Sequence, residues 1–348
     1  MAVLRFGLAG TGVGGGFIAG ALQQLRDEGV AELVAVAGRR AAKTEEFARK
    51  YGAKKWYASF DQLLADPEVD AVAISTPHYL HFPQAVAAIE AGKHVLVDKP
   101  MAVTLREADE MIARAERRGV TLGVVFEYRF DPVIERVREH VTWGRLGRLI
   151  LAEAVVEWYR TREYYAGSDW RGRWVTEGGG ALINQAIHTV DLMLWLMGDA
   201  EEVWAYAGTY AHDIEVEDLA VALIRFRSGA LGVVQASTAT YPGFPTRLEV
   251  HGTDGAAVIE GGNLKLLALR GEVVKEAEGL KGWESWARPE AVPIENHVRL
   301  LRDFVLAVSE GGRPRVDGRE GRRSLELIRA IYASAKLHQP VKLPLVEV

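Results

Sequence analysis

Three groups of residues in this chain are of types and spacings that do chemistry. Gly10-Thr11-Gly12-Val13-Gly14-Gly15 follows an apolar run, Asp98-Lys99-Pro100 follows another, and Gly178-Gly179-Gly180 precedes a helical pattern carrying Asn184, His188 and Asp191. A glycine turn that opens a helix offers free N–H groups and a partial positive charge, which suits a pyrophosphate. Gly10 would make the tight turn, Gly12 would let the backbone approach the phosphates, and Gly15 would let the helix pack closely, with Thr11 and Val13 in the same turn. An ammonium at Lys99 can donate a hydrogen bond to a substrate oxygen, and the His188 imidazole titrates near neutrality, as a general base must. Amine, imidazole and dinucleotide together are the equipment of hydride transfer at a hydroxyl-bearing carbon.

Asn184, His188 and Asp191 fall within about 60° of one another on a regular helix, so they share a face. Asp191 would orient the imidazole or serve as a cap or ion-pair partner; the pattern is compatible with either. The three are a poor set for a metal, because Asn is a weak ligand and no fourth ligand is evident, so none is expected. Ser75-Thr76-Pro77, with His81 after it, lies at a strand end and is expected to touch the cofactor, as is Asp98. The second strand ends in Ala37-Gly38-Arg39-Arg40 with no acidic residue for a ribose 2′-hydroxyl, and Glu32 is at its other end. Two guanidiniums there suit a 2′-phosphate, so NADP is expected ahead of NAD, unless Arg39 and Arg40 are simply solvated. The stretch Tyr164 to Trp174, with Trp170 and Arg171, is dense in aromatics and Arg; it would grip a polyhydroxylated ring or form a subunit contact.

These residues need a scaffold, and the patterning supplies one. The first third alternates strands (Leu4–Ala9, Leu33–Ala37, Ala71–Ser75, His94–Val97, Thr121–Val125) with helical stretches, and Ser59/Gln62 and Thr104/Glu107 have capping-box spacing. This predicts an α/β, doubly wound parallel sheet of the Rossmann kind over 1–125. After Val125 come alternating segments, Leu149–Trp158, Val203–Ala207, Ala220–Phe226, Leu231–Ala236 and Arg247–His251, broken by Ser228-Gly229, Pro242-Gly243 and Asp254-Gly255 turns. They predict an α+β domain over 126–348 with a mostly antiparallel sheet, closed by helices around Val298–Ser309 and Ser324–Leu337.

At 348 residues the chain is long enough for two domains. A net charge of −5 argues against nucleic acid and anionic membrane surfaces as partners. No window is apolar enough to span a bilayer and no charged leader precedes the first strand, so a cytoplasmic protein is expected. With no Cys there is neither a disulfide nor a thiolate site.

The glycine turn, Ser75-Thr76-Pro77 with His81, Glu90 to Pro100, and Gly178-Gly179-Gly180 followed by His188 and Asp191 resemble the Gfo/Idh/MocA oxidoreductase family, and the likeness extends to Gly312–Gly318. The resemblance implies an N-terminal Rossmann domain and a C-terminal open-faced sheet used to form dimers or tetramers. It implies oxidation or reduction of sugar, cyclitol or nucleotide-sugar hydroxyls with NAD or NADP, Lys99 being the family's lysine and His188 its acid/base histidine. The family also contains glycosidases that oxidise a sugar transiently, and the same fold could serve a non-catalytic sensor. Asp98 stands for the usual Glu, and Asn184 for an Asp found in many members, which puts a carboxylate proton relay at that position in doubt.

Overall fold

The computed structural model describes residues 3–274 and 293–345. The chain divides into two compact units, Met1–Glu127 with Ile294–Arg322, and Tyr128–Pro293 with Arg323–Val348. The first boundary falls two residues from the one expected. Ile294–Arg322, expected with the second domain, belongs to the first unit.

In the first unit, β1 (Leu4–Ala9), α1 (Val13–Asp27), β2 (Ala31–Ala37), α2 (Ala41–Tyr51), β3 (Lys55–Tyr57) and α3 (Phe60–Leu64) are followed by β4 (Ala71–Ile74), α4 (His78–Glu90), β5 (His94–Asp98), α5 (Leu105–Arg118) and β6 (Leu122–Val125). All six strands are parallel, in the order β3-β2-β1-β4-β5-β6. Helices cover both faces, so Phe6–Ala9 of β1, Leu33–Ala37 of β2 and all of β4 are buried without a polar side chain between them. Thr104 and Glu107 form the expected capping box of α5, and Ser59 caps α3. The returning helix, Glu295–Glu310, lies along α1, with Phe304 against Phe6 and His297 stacked on Phe17. Its apolar stripe completes one face of the parallel sheet, which is why it joins the first unit. Strand order reverses next to β1, and ligands of open α/β sheets bind at the carboxyl ends of the strands flanking such a point.

The second unit contains α6 (Pro132–Thr142), β7 (Leu149–Glu157), α7 (Arg162–Ala166), α8 (Trp174–Glu177), α9 (Ile187–Met197), β8 (Ala200–Gly208), β9 (Leu219–Phe226), β10 (Leu231–Ser237), β11 (Arg247–Gly252), β12 (Gly255–Glu260), β13 (Asn263–Leu269), β14 (Glu272–Val274) and β15 (Val341–Lys342). They form one nine-stranded sheet, β14-β13-β12-β11-β7-β10-β9-β8-β15, in which only β7 and β10 run parallel. Its inner face is built largely of small residues, Ala152, Ala154, Ala205, Ala220, Ala222 and Ala236, all buried. Small side chains let α9 lie close to β7 and β11. On the other face Trp204, Tyr206, Val221, Leu223 and Leu231 are exposed in the single chain.

A regular helix from Ala181 onward is expected from the spacing; instead the chain takes one π-helical turn, Ala181–Ala186, before α9. The wider turn aims Asn184 and Asp191 apart. Asp191 is buried beside the sheet, where Arg129 donates to it through Nε and Nη2, both at 2.7 Å, and Ser324 Oγ donates at 2.6 Å. Both members of this ion pair are about 1% exposed. The Asp191→Ala variant therefore leaves a buried guanidinium without its counter-charge and is expected to lose about 3–5 kcal/mol of folding stability. Denaturant unfolding measures this; a loss below about 1 kcal/mol contradicts the role given to the pair.

Candidate active site

At the crevice of the first unit, Gly10 has φ +110°, and a Cβ there would collide with the Ser75 carbonyl. Gly15 packs as closely on the Gly10 carbonyl, whereas a Cβ on Gly12 would meet nothing within 4 Å. The turn is thus tight on its protein side and open on the other, as a phosphate cradle at a helix N-terminus must be. Val13 opens α1 and Thr11 touches the space that a Cβ on Gly38 would take. Arg39 and Arg40 are exposed where β2 gives way to α2, and Glu32 lies at the far end of β2.

Lys99 follows β5 immediately. Its backbone N–H donates to Asp98 Oδ1 at 2.9 Å, while Asp98 Oδ2 accepts from Ser75 Oγ at 2.8 Å. A Cβ on Gly14 would overlap both Asp98 and Ser75, so the glycine turn, the end of β4 and the lysine loop are packed against one another. The Lys99–Pro100 peptide is cis. Pro77 caps α4, and Thr76 Oγ1 bonds Gln84 at 2.7 Å. His81, expected at the cofactor, is placed differently. It is about 1% exposed, with Nδ1 2.7 Å from the Pro100 carbonyl and Nε2 2.7 Å from that of Thr76. Burial holds its pKa below the usual value against the pull of those carbonyls and of Asp98. With both nitrogens taken and no surface exposed, His81 braces the ends of β4 and β5 and does not reach a ligand.

In the second unit, the triple glycine has a packing reason. Gly179 has φ +152°, and a Cβ there would collide with the Tyr332 hydroxyl; one on Gly180 would collide with the Glu217 carbonyl. Glu217 is buried and accepts from Gly180 N at 2.8 Å, Leu182 N at 2.9 Å and Tyr332 Oη at 2.9 Å. Burial pushes its carboxyl up to about 7 against those three donors, and burial together with Glu217 raises the pKa of Tyr332. These contacts fix the start of the stretch that carries Asn184 and His188.

Asn184 Nδ2 donates to Glu177 Oε1 at 2.6 Å, and Glu177 Oε2 accepts Gly172 N at 2.5 Å. Because a carboxylate only accepts, this assigns the amide orientation and turns Asn184 Oδ1 the other way as an acceptor. A carboxylate is thus present not at position 184 but seven residues earlier, at Glu177, which bonds Asn184 and is about 1% exposed. His188 is half-buried, its ring 4.8 Å from that of Tyr128. Gln185 Nε2 donates to Tyr164 Oη at 3.0 Å, which connects the aromatic loop to the same stretch. Trp170 and Arg171 lie in that loop, the guanidinium over both the Tyr164 and Trp170 rings. Asp191 does not join His188; its carboxylate is held by Arg129 and Ser324. Glu177, Glu217, Tyr332 and Arg129 were not foreseen. Only their burial as polar side chains could have pointed to them, and a sequence does not display burial. Among the described residues no group of three or more His, Asp or Glu could hold a metal ion, and no helix is long and apolar enough to cross a membrane.

Residues 4–126 match the oxidoreductase family with an NAD-binding Rossmann fold, and residues 134–258 match the GFO/IDH/MocA C-terminal domain. The chain is 30% identical over 342 residues to 1,5-anhydro-D-fructose reductase of Ensifer adhaerens, covering 97% of this chain and 98% of that one. It is 29% identical over 346 residues to myo-inositol 2-dehydrogenase of Thermotoga maritima, covering 98% of each. The WlbA dehydrogenase of Bordetella pertussis, solved in complex with NADH and UDP-GlcNAcA, superposes with a TM-score of 0.85 at 33% identity over 99% of this chain and 100% of that one. The chain belongs to the Gfo/Idh/MocA family of NAD-binding oxidoreductases, as its motifs led one to expect.

The raised carboxyl of Glu217 gives a pH signature with a definite sign. Between its ordinary value near 4.5 and about 7, the unfolded chain has lost this proton while the folded protein keeps it. Relative to Glu217→Gln, the parent protein should therefore lose stability as pH rises through that window and level off above it. Melting temperatures of both proteins across pH 4.5–8 measure the difference; a parent-minus-variant value that stays flat, or that increases with rising pH, contradicts it.

Proposed function

We propose that this oxidoreductase transfers hydride between a nicotinamide cofactor and a hydroxyl or keto carbon of a sugar, cyclitol or nucleotide sugar. The observation that carries the proposal is the wedge of Asp98 between Ser75 and Gly14, which brings Lys99 out beside the glycine turn at the carboxyl end of β5. Hydride chemistry needs a donor beside the nicotinamide, and an amine at this strand end can supply it.

The turn from Gly10 to Gly15 would hold the pyrophosphate on the N-terminus of α1. When bound, the nicotinamide supplies the hydride acceptor in oxidation and the donor in reduction. Lys99 Nζ hydrogen-bonds the substrate oxygen and lowers the cost of its alkoxide-like charge. The His188 imidazole takes the hydroxyl proton in oxidation and returns it in reduction. Asn184, turned by Glu177 so that Oδ1 accepts, positions a neighbouring substrate hydroxyl. Arg39 and Arg40, with no carboxylate at the end of β2, favour the 2′-phosphate of NADP, although the Bordetella relative was solved with NADH. The exposed apolar face of the nine-stranded sheet suits a second copy of the chain, and a dimer or tetramer formed through it.

Absorbance in the reduced-nicotinamide band, followed while sugars, cyclitols and nucleotide sugars are offered with NAD and with NADP, tests the reaction. Turnover of at least one polyol is expected, with NADP bound more tightly than NAD. Lys99→Ala and His188→Ala should each lower kcat by about 10²-fold or more while the cofactor still binds. Near-full turnover in either variant removes that residue from the mechanism, and tighter NAD binding reverses the cofactor preference. For the assembly, sedimentation should show a parent oligomer that Leu223→Glu dissociates; a monomeric parent overturns that part.

A further inference from the structure

Arg171 is held in an unusual way. Its guanidinium lies 4.4 Å from the Tyr164 ring centroid and 4.9 Å from that of Trp170. Its side chain makes neither a hydrogen bond nor an ion pair among the described residues, and its Nε is buried without a partner. Five N–H donors thus lie against aromatic faces and have no partner among the described residues. The backbone beneath them is rigid. Ser168 Oγ accepts from Trp170 N and Arg171 N, Thr176 Oγ1 donates to the Trp170 carbonyl, and Glu177 and Glu215 bond the two sides of Gly172.

A second guanidinium lies close by. Arg160 is buried, 4.9 Å from the Trp158 ring and 5.6 Å from the same Tyr164 ring. Burial lowers its pKa, and repulsion from Arg171 adds to the effect. Two cations over one ring repel, and an oxyanion reverses the sign of that term by meeting both. The Tyr164 hydroxyl between them bonds Gln185, which is about 6% exposed and whose Oε1 has no partner among the described residues. The Arg171 donors and the buried Gln185 acceptor, both without a partner among the described residues, therefore meet at one tyrosine, Gln185 being next to Asn184 and one turn before His188. That is the complement of a ligand bearing both an acidic group and a hydroxyl.

We propose that Arg171, with Arg160 beside it, forms an oxyanion subsite that takes a carboxylate or phosphate carried by the substrate, with Gln185 Oε1 accepting from one of its hydroxyls. The inference rests on the oxidoreductase function proposed above and narrows it: the substrate is an acidic sugar or cyclitol, not a neutral one. Arg171 supplies the fork of donors, and the two rings beside it hold that fork in place.

The test titrates the protein with a hexuronate, a hexose phosphate and the neutral hexose. Tryptophan fluorescence reads binding near Trp158 and Trp170, and nicotinamide absorbance reads turnover separately. Acidic ligands should bind at least tenfold more tightly than the neutral hexose. Arg171→Gln should weaken them by about tenfold or more beyond any change for the neutral ligand, and Arg171→Lys should recover only part of the loss. Preference between the two acidic ligands identifies the anion as carboxylate or phosphate. A neutral hexose bound as tightly as both acids, or Arg171→Gln weakening all three equally, overturns the subsite. So does an Arg171→Gln protein whose main change is its subunit number, since Arg171 is then a subunit contact. If acids bind in an Arg171-dependent way but no polyol of any charge reduces the cofactor, the redox function fails and the subsite stands.

Discussion

A carboxylate removed from water must be met by donors or by a cation, because leaving it unmet costs more than most single contacts return. Three such carboxylates fix the stretch Ala181–Met197 in the second unit. Glu217 grips its first backbone N–H groups, Glu177 grips Asn184, and Asp191 is gripped by Arg129 and Ser324. Each bond joins the stretch to a different part of the unit, so it has little freedom to slide or rotate. The triple glycine is a consequence of this arrangement: Gly179 and Gly180 must be bare because Tyr332 and Glu217 come in contact with their backbone. The π-helical turn, Ala181–Ala186, lies between the backbone held by Glu217 and the Asp191 held by Arg129.

The first unit applies the rule on a smaller scale. Asp98 is satisfied by the N–H of its own neighbour and by Ser75, and the bare Cα of Gly14 leaves it room. His81 draws the carbonyls of Thr76 and Pro100 to one ring. Two strand ends and one helix start are thereby locked together, with the Lys99 backbone N–H part of the locked corner. Several of the residues whose types suggest chemistry at this corner, Ser75, His81 and Asp98, hold its backbone together. Asp98 in place of a longer glutamate fits such a corner, where the carboxylate must turn back onto the next backbone N–H.

Local patterns carried most of the fold. β1 runs from Leu4 to Ala9 as expected, the capping box at Thr104 is present, and the alternating segments beyond Val125 form the mostly antiparallel sheet. Each of these is decided by residues a few positions apart, which is what a periodicity reports. The short edge strand β3 and the hairpins from β12 onward were not placed, because β3 has only three residues and the later strands lack clean alternation. Most of what supports the site lay further out of reach. Glu217 meets Leu182 across 35 residues and Tyr332 across 115, and Arg129 meets Asp191 across 62. No local pattern encodes those pairings. His81 was misread for a related reason: its residue type suggests a ligand, while its environment, invisible in a string of letters, is two carbonyls.

The two arginines Arg129 and Arg171 show what separates support from recognition within one unit. Arg129 is fixed by charge: two of its donors are spent on Asp191, and its guanidinium is also stacked over Trp195. Arg171 is fixed by stacking alone, which uses the faces of the guanidinium and leaves its edges with every donor intact. Ion pairing in a buried site stabilises and consumes; stacking positions and conserves. A protein that must hold a helix rigid and still present hydrogen-bond donors to a ligand needs both kinds of arginine. The aromatic density of the loop from Tyr164 to Trp174 follows from that need, since only flat apolar faces can hold a cation still without occupying its hydrogen bonds.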